Sequence, residues 1–197
     1  KVSFKPLSSI SKTENLNLNR ELNIMAKITH PSIVKFIGFS PLNYHKEDKP
    51  VIITELLSNG TLGDIIDLER KSQSPKLWDD THKLITIYGI AAAMEFLHSH
   101  GIIHRDLKPA NILMNESFYP KVADFGLSKI IDSQNPDLIN AQSTTDIKGT
   151  PMYMAPEIFT SMKYTKACDV YAYAIIVYEI MTNEIPYQGL NFFQLSR

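Results

Sequence analysis

The chain has almost no cysteine and no marked excess of charge of either sign. Its 197 residues include a single cysteine, Cys168, so no internal disulfide can form and a reducing compartment is favoured. Twenty Lys and Arg residues against 21 Asp and Glu residues give a formal net charge of −1. This balance argues against a surface for nucleic acid or anionic membranes. We therefore expect a cytoplasmic protein without a nucleic-acid partner.

Long hydrophobic runs are also missing. The most apolar stretch, residues 170–181, is too short to span a bilayer and is interrupted by Glu179. We interpret it as a buried helix and expect no membrane insertion. No signal peptide precedes it, and a start at Lys1 leads us to expect a chain cut from a longer protein. Apolar residues make up 44% of the chain, which is enough for a buried core.

The first 57 residues predict a small mixed sheet with one helix. Three segments have the alternation or composition of strands: residues 2–5, 33–39 and 51–57. Apolar side chains recur at helical spacing in residues 20–28, and His30-Pro31 ends that helix.

The remainder is predicted to be mainly helical. Asp79, Asp80 and Thr81 are N-cap candidates for a helix that ends near Ser99. Its predicted apolar side consists of Leu84, Ile87, Tyr88, Ala91, Met94 and Leu97. Residues 165–182 predict a further helix, while 111–114 and 121–123 predict a hairpin. Residues 124–157 show almost no periodicity, and a loop of that length is usually functional.

The segment HRDLKPAN, residues 104–111, places a carboxylate between two cations and an amide five residues further on. Asp106 can accept a proton, the Asn111 amide oxygen can bind a metal, and Lys108 can stabilise a negative charge between them. Phosphate chemistry requires such groups. Taken singly, these residues have plainer interpretations, with Asp106 as a turn acid and Asn111 as a hairpin cap.

Three further motifs follow in order. They are Asp124-Phe125-Gly126, the stretch GTPMYMAPE at residues 149–157, and Cys168-Asp169-Val170-Tyr171. Together with HRDLKPAN they resemble the eukaryotic protein kinases, whose signature set is a strand Lys, H-R-D-L-x-x-x-N, D-F-G and A-P-E. The resemblance implies an α+β, two-lobed kinase fold. Residues 1–57 would be a partial, β-rich N-lobe and residues 58–197 a partial, mainly helical C-lobe, together one incomplete kinase domain.

The resemblance also implies ATP and Mg²⁺ as cofactors and gives roles to individual residues. Asp106 would orient or accept the proton of the substrate hydroxyl, and Lys108 would lie near the transferred phosphoryl group. Asn111 and Asp124 would bind magnesium. Lys5 would hold the nucleotide phosphates with Glu21 as its ion-pair partner. Around adenine, the implied residues are the gatekeeper Thr54, the hinge residues Glu55 and Leu57, and Leu113 beneath the ring.

Other motif residues are implied to be structural. Met25, Phe36, His104 and Phe125 would stack as a column that joins the lobes. Asp169 would be a buried helix acid bonded to the backbone of the catalytic loop.

The motif variants resemble serine/threonine kinases. Lys108-Pro109 and Gly149-Thr150-Pro151 have the serine/threonine pattern. Thr54, residues 152–157 and residues 168–171 are instead similar to the tyrosine-kinase-like (TKL) group. We expect a kinase that phosphorylates protein Ser and Thr hydroxyls, with a pseudokinase or scaffold module, or a tyrosine or dual-specificity kinase, as alternatives. No G-x-G-x-x-G precedes Lys5, so the chain alone is expected to be poorly active.

A regulatory site is implied beside the catalytic loop. Arg105 precedes Asp106, and in kinases with this arginine a phosphate on the activation loop commonly pairs with it. The candidates for modification, by an upstream kinase or by autophosphorylation, are Ser143, Thr144 and Thr145. The Thr150 hydroxyl is expected to contact Asp106 and Lys108.

Overall fold

The computed structural model describes residues 1–6, 22–47, 50–130, 139–140, 150–161, 163–190 and 194, with the backbone alone at 6, 139, 140 and 161. Four residues predicted to have functional roles lie outside the described part: Glu21, Ser143, Thr144 and Thr145.

A three-stranded antiparallel sheet forms the small lobe. Its strands are β1 (Val2–Pro6), β2 (Phe36–Ser40) and β3 (Val51–Glu55), in the order β1-β3-β2. Lys5 lies opposite Ile52 and Ser3 opposite Thr54. Directly opposed residues project from the same face of a sheet, so Lys5 and Thr54 face the same side. The helical residues described before β2 are 22–25, here α1.

The prediction of a strand over residues 33–39 was wrong at its start. Ile33 forms a parallel bridge to Val122 in the large lobe, and the Val34 N–H donates to the Val122 carbonyl at 2.9 Å. The backbone groups of residues 33–34 are therefore used between the lobes, and the strand of the small sheet begins only at Phe36. The predicted strand 51–57 is shorter too and ends at Glu55.

Two helices begin the large lobe, and both have side-chain caps. Helix α2 (Leu62–Arg70) starts with a capping box between Thr61 and Asp64. Helix α3 (Asp80–Ser99) starts at the N-cap Asp79, whose side chain accepts from the His82 N–H. The bounds predicted for α3 are confirmed.

The predicted apolar side of α3 was wrong in part. Leu84 and Tyr88 are 60% and 76% exposed. The residues that α3 buries are Thr86, Gly89, Ile90, Ala93, Met94 and Leu97. Because the helix has apolar residues around most of its circumference, spacing alone could not select the face. Gly89 selects it, since a Cβ there would lie 2.6 Å from the Pro120 ring, so only glycine permits this approach.

Short elements and one long helix complete the large lobe. They are β4 (Ile102–Ile103), β5 (Ile112–Met114), β6 (Pro120–Val122), β7 (Lys129–Ile130), β8 (Ile139–Asn140), α4 (Pro156–Ser161), β9 (Lys163–Tyr164) and α5 (Lys166–Thr182). Antiparallel pairs join β4 to β7, β5 to β6 and β8 to β9. The predicted hairpin and the helix that follows the N-cap Thr165 are confirmed.

One core joins the small sheet to the helices of the large lobe. It contains Ile24 of α1, Ile52 of β3, Leu97 of α3 and Ile176 of α5. A second cluster contains Ile103, Met154, Ala155, Ile158, Tyr164 and Cys168. The α+β architecture with a small sheet lobe and a helical lobe is thus confirmed. Within the described residues, no helix combines the length and hydropathy needed to cross a bilayer.

The buried face of α3 predicts a contrast between two leucines. Leu97 is fully buried, so Leu97→Ala should lower the free energy of unfolding by about 2–5 kcal/mol, through lost transfer energy and a cavity. Leu84→Ala on the exposed side should change it by roughly 0.5 kcal/mol or less. Urea unfolding of both variants measures the difference. Equal losses would mean that α3 packs through the face first predicted from sequence.

Candidate active site

The segment between β4 and β5 brings together three of the predicted catalytic residues. The Lys108 ammonium lies 2.8 Å from Oδ2 of Asp106. The Asn111 amide donates to the Asp106 carbonyl at 2.7 Å and to its Oδ2 at 3.0 Å. The other oxygen, Oδ1, is buried and has no hydrogen-bond partner among the described residues. The carboxylate is thus fixed by one oxygen, and the second retains unused acceptor capacity.

Thr150 reaches this group through Lys108. Its Oγ1 accepts a hydrogen bond of 3.0 Å from the Lys108 ammonium, which also contacts Asp106. In the described part of the chain, no hydrogen bond joins Thr150 to Asp106 directly. The predicted contact with Lys108 is confirmed, and the lysine bridges the other two side chains.

Asp169 fixes the backbone that leads into the loop. Its Oδ2 accepts from the His104 N–H and its Oδ1 from the Arg105 N–H, both at 2.9 Å. Arg105 has a φ of 71°, a left-handed conformation that costs about 1–2 kcal/mol in a residue with a Cβ. The bonds to Asp169, which is 2% exposed, hold this conformation. The predicted role of this acid is confirmed.

His104 is structural, as predicted. Its side chain is fully buried, its Nε2 lies 3.0 Å from the Ala123 carbonyl, and its ring centroid is 5.5 Å from that of Phe125. Phe125 and Met25 are buried in the main core, and Phe36 packs against that core. The four residues predicted to stack between the lobes are therefore all in or against the interior.

Lys5 and Asp124 meet across the cleft between the lobes. The Lys5 ammonium lies 2.9 Å from Oδ1 of Asp124, and the two side chains are 46% and 45% exposed. Burial raises the pKa of Asp124. The hydrogen bond and charge of Lys5, with a weaker bond from the Gly126 N–H, lower the pKa by a larger amount. The net pKa lies below the ordinary aspartate value. The group predicted to hold phosphates and the group predicted to bind metal are thus in contact.

The predicted adenine residues lie on both sides of the same cleft. Thr54 and Glu55 end β3, and Leu57 follows at the hinge. Leu113 lies on β5, where it bridges to Thr61 just beyond the hinge. Leu57 and Leu113 both pack against the main core.

The side chain of Glu55 is engaged away from the predicted adenine position. Its Oε1 accepts from the Lys35 N–H and from the Lys121 ammonium, both at 2.8 Å. Its own N–H donates to the Lys35 carbonyl at 3.0 Å. The side chain and the N–H of this hinge residue are therefore both engaged within the protein, and its backbone carbonyl is the group left for a nucleotide.

Sequence reasoning missed a buried network beneath the GTPMYMAPE segment. Glu179 is 6% exposed, and its carboxylate accepts from Arg70 and from the Tyr153 hydroxyl, each at 2.7 Å. Burial and the adjacent carboxylate raise the pKa of Tyr153. A lone acid inside an apolar run was the available signal, because a buried charge requires a partner. Nothing in the sequence identified Arg70 as that partner.

Two contacts of the catalytic loop were also missed. His98 Nε2 lies 2.8 Å from Oδ2 of Asp169, which gives the buried acid a third partner. The Arg105 guanidinium lies over the ring of Tyr164, with its carbon 4.0 Å from the ring centroid. The two residues in each of these contacts are far apart in sequence, so motif spacing could not have indicated either contact.

The chain is similar to many known kinases. The family model described as a protein kinase domain matches residues 2–195. A protein named as a probable LIM domain-containing serine/threonine-protein kinase of Dictyostelium discoideum is 36% identical over 195 residues, covering 96% of this chain and 18% of that protein. A protein kinase and PP2C-like domain-containing protein of Arabidopsis thaliana is 32% identical over 198 residues, covering 93% of this chain and 28% of that protein.

Receptor-type kinases are among the relatives as well. A probable L-type lectin-domain containing receptor kinase of Arabidopsis thaliana is 30% identical over 188 residues, covering 94% of this chain and 28% of that protein. The chain spans between 11% and 41% of the lengths of such curated relatives. With a family model matched over almost its full length and a site of the expected composition, the chain belongs to the protein kinase domain family.

Proposed function

We propose that this chain is the catalytic part of a serine/threonine protein kinase, which transfers the γ-phosphoryl group of ATP to protein Ser and Thr hydroxyls. The observation that supports this most is the arrangement around Asp106. One carboxylate oxygen is held by Lys108 and Asn111, and the other is buried without a partner among the described residues. Proton transfer to a positioned carboxylate requires such a free, fixed acceptor.

Each described residue of the site then has a defined task. Asp106 Oδ1 accepts the substrate hydroxyl proton and orients its oxygen for attack. Lys108 lies between Asp106 and Thr150, where its charge stabilises the phosphoryl oxygens. Lys5 holds the nucleotide phosphates from the small lobe. Because this chemistry depends on positioning more than on covalent help, the contacts among these side chains matter as much as their identities.

The residues present fit a magnesium site. Mg²⁺ prefers oxygen ligands, and the Asp124 carboxylate and the Asn111 amide oxygen would supply them. The lowered pKa of Asp124 keeps its carboxylate ionised at neutral pH, as a metal ligand must be. When bound, Mg²⁺ neutralises the phosphate charge. Lys5, now on Asp124 Oδ1, would then pair with phosphate instead.

Sequence features support the finer assignments. The contact between Thr150 and Lys108 supports Ser/Thr specificity, since both residues belong to the serine/threonine pattern of the catalytic and GTPMYMAPE segments. Thr54 at the end of β3 supports membership of the TKL group. The single cysteine, reduced and buried, supports a cytoplasmic location.

We further propose regulation by phosphate on Ser143, Thr144 or Thr145, added by an upstream kinase or by autophosphorylation. The support is Arg105, whose Nε is buried and has no hydrogen-bond partner within the described ranges. A phosphate would give this guanidinium a charge-assisted acceptor beside the catalytic loop.

The role of Asp106 predicts a large loss of turnover without loss of binding. Asp106→Asn should lower kcat by about 10²- to 10⁴-fold, because the acceptor oxygen is replaced, while ATP affinity is retained. The exposed Asp80→Asn serves as the control and should leave both unchanged. Phosphoamino-acid analysis of a generic protein substrate should give phosphoserine and phosphothreonine. Near-normal transfer by Asp106→Asn would refute the assignment, and phosphotyrosine alone would refute the specificity.

The Lys108–Thr150 hydrogen bond predicts an effect on catalysis with rescue by a conservative change. Thr150→Ala should lower kcat roughly tenfold or more, because Lys108 loses an acceptor that helps to fix its position. Thr150→Ser retains the hydroxyl and should restore most of the rate. Thr182→Ala, at the exposed end of α5, is the control. If the Ala and Ser variants are equally impaired, the hydroxyl has no catalytic part.

The contact between Lys5 and Asp124 predicts a titration that depends on the lysine. In the unliganded protein, the pKa of Asp124 should lie below the ordinary aspartate value and should rise in Lys5→Met, since the strongest interactions that oppose the effect of burial are then lost. The pair stabilises the fold above the unfolded pKa of Asp124, and this contribution is lost as pH falls through the lowered folded pKa. Carboxyl NMR titration measures the shift, with exposed Lys27→Met as the control. An unchanged pKa in Lys5→Met would show that the ion pair does not form.

A further inference from the structure

The Arg105 guanidinium has unusual surroundings for a partly buried cation. Its Nε is buried without a hydrogen-bond partner, and Nη1 reaches the Leu127 carbonyl only at 3.5 Å. No carboxylate lies within ion-pair distance of it in the part of the chain that the structure describes. A desolvated cation without an anion needs another source of electrostatic stabilisation.

Tyr164 supplies that stabilisation through its ring. The guanidinium carbon lies 4.0 Å from the ring centroid, well inside the range of cation–π interactions, and the ring is fully buried. Burial of the ring strengthens the interaction, because water does not compete for the cation. The contact places the guanidinium carbon over the face of the ring.

The position of Tyr164 connects it with the segment that follows Asp124. Tyr164 is the second residue of β9, and its backbone pairs with Ile139 of β8. The same ring packs in the cluster that contains Ile103, directly before the catalytic loop, together with Met154 and Ile158. Tyr164 thus links the β8–β9 pair, through its backbone, to Arg105, through its ring.

We propose that Tyr164 is a positioning residue for catalysis, which acts through Arg105. The ring holds the guanidinium in place. The Arg105 backbone, fixed at its other end by Asp169, then presents Asp106 in the orientation that Lys108 and Asn111 complete. The contact between Tyr164 and Arg105 rests on the geometry alone. Its effect on catalysis rests also on the proposed function.

The contact has a consequence for regulation. Because the ring stabilises the guanidinium without neutralising it, the charge of Arg105 remains available to the loop phosphate that we propose. Tyr164 therefore pre-orders Arg105 before phosphorylation, and loss of the ring should affect the unphosphorylated and the phosphorylated protein alike.

The contact can be tested without measuring activity. In the natural protein labelled at arginine nitrogen, the Nε–H signal of Arg105, assigned by its loss in Arg105→Lys, should show an upfield ring-current shift. The shift should persist in Tyr164→Phe and disappear in Tyr164→Leu. A signal that does not respond to Tyr164→Leu would overturn the contact and the inference with it.

The catalytic consequence is tested by kinetics with a packing control. Tyr164→Leu should lower kcat roughly three- to thirtyfold, with the KM for ATP little changed, whereas Tyr164→Phe should retain most of the rate. Ile158→Ala removes buried volume from the same cluster and leaves the ring, so it should lower the unfolding temperature but not kcat. Equal loss of kcat in Tyr164→Leu and Ile158→Ala would show that Tyr164 acts only through packing, and would overturn the positioning role.

Two further variants keep the test decisive if Tyr164→Leu does not fold. Fluorinated phenylalanines at position 164 preserve the shape of the ring and weaken the attraction of its face for a cation, so kcat should fall as fluorines are added. In an Arg105→Met background the same series should have no further effect, because the cation is gone. A fluorine series without effect on kcat in the Arg105 protein would overturn the inference. A wild-type protein that shows the ring-current shift but transfers no phosphate would refute the proposed function instead.

Discussion

The Asp169 carboxylate is the group on which the arrangement of the site depends. It accepts two backbone N–H groups of the catalytic loop and contacts His98, while 2% of it remains exposed. Such buried bonds are strong because no water competes for them, and because the loss of the acid would leave two donors unsatisfied. They hold Arg105 in a left-handed conformation that the chain would otherwise avoid. Asp106 is the next residue, so its orientation depends on the hydrogen bonds of Asp169 to the Arg105 and His104 backbone.

Helix α5 organises the large lobe through two buried acids at its ends. Asp169 lies in its first turn, where the helix dipole favours a negative charge. Glu179 lies near its C-terminal end, where the dipole is unfavourable, and there Arg70 provides the opposing charge. One acid fixes the catalytic loop and the other fixes Tyr153 of the GTPMYMAPE segment. A largely apolar helix thereby connects the catalytic loop with the GTPMYMAPE segment.

Motifs allowed most of the site to be predicted, because its residues lie close together in sequence or in a fixed order. The cluster of Asp106, Lys108 and Asn111 and the anchoring role of Asp169 followed from the catalytic segment and its resemblance. What could not be predicted depends on packing between distant segments. The face of α3 is chosen by the approach of Pro120 to Gly89, which no periodicity records. The late start of β2, after residues 33–34, likewise reflects a bond to the other lobe.

The partners of buried charges form the largest class of missed features, and there is a physical reason. A charged residue within an apolar stretch of sequence indicates that a partner is required. Which residue is the partner depends on proximity in the folded chain, which the sequence pattern does not show. Glu179 needed a cation, which proved to be Arg70, more than 100 residues away in sequence. Arg105 needed an anion by the same logic, yet the structure gives it the face of Tyr164. An aromatic ring stabilises a cation without neutralising it, so the charge of Arg105 is preserved. An ion pair would have neutralised that charge, whereas the ring leaves it available to the phosphate that we propose.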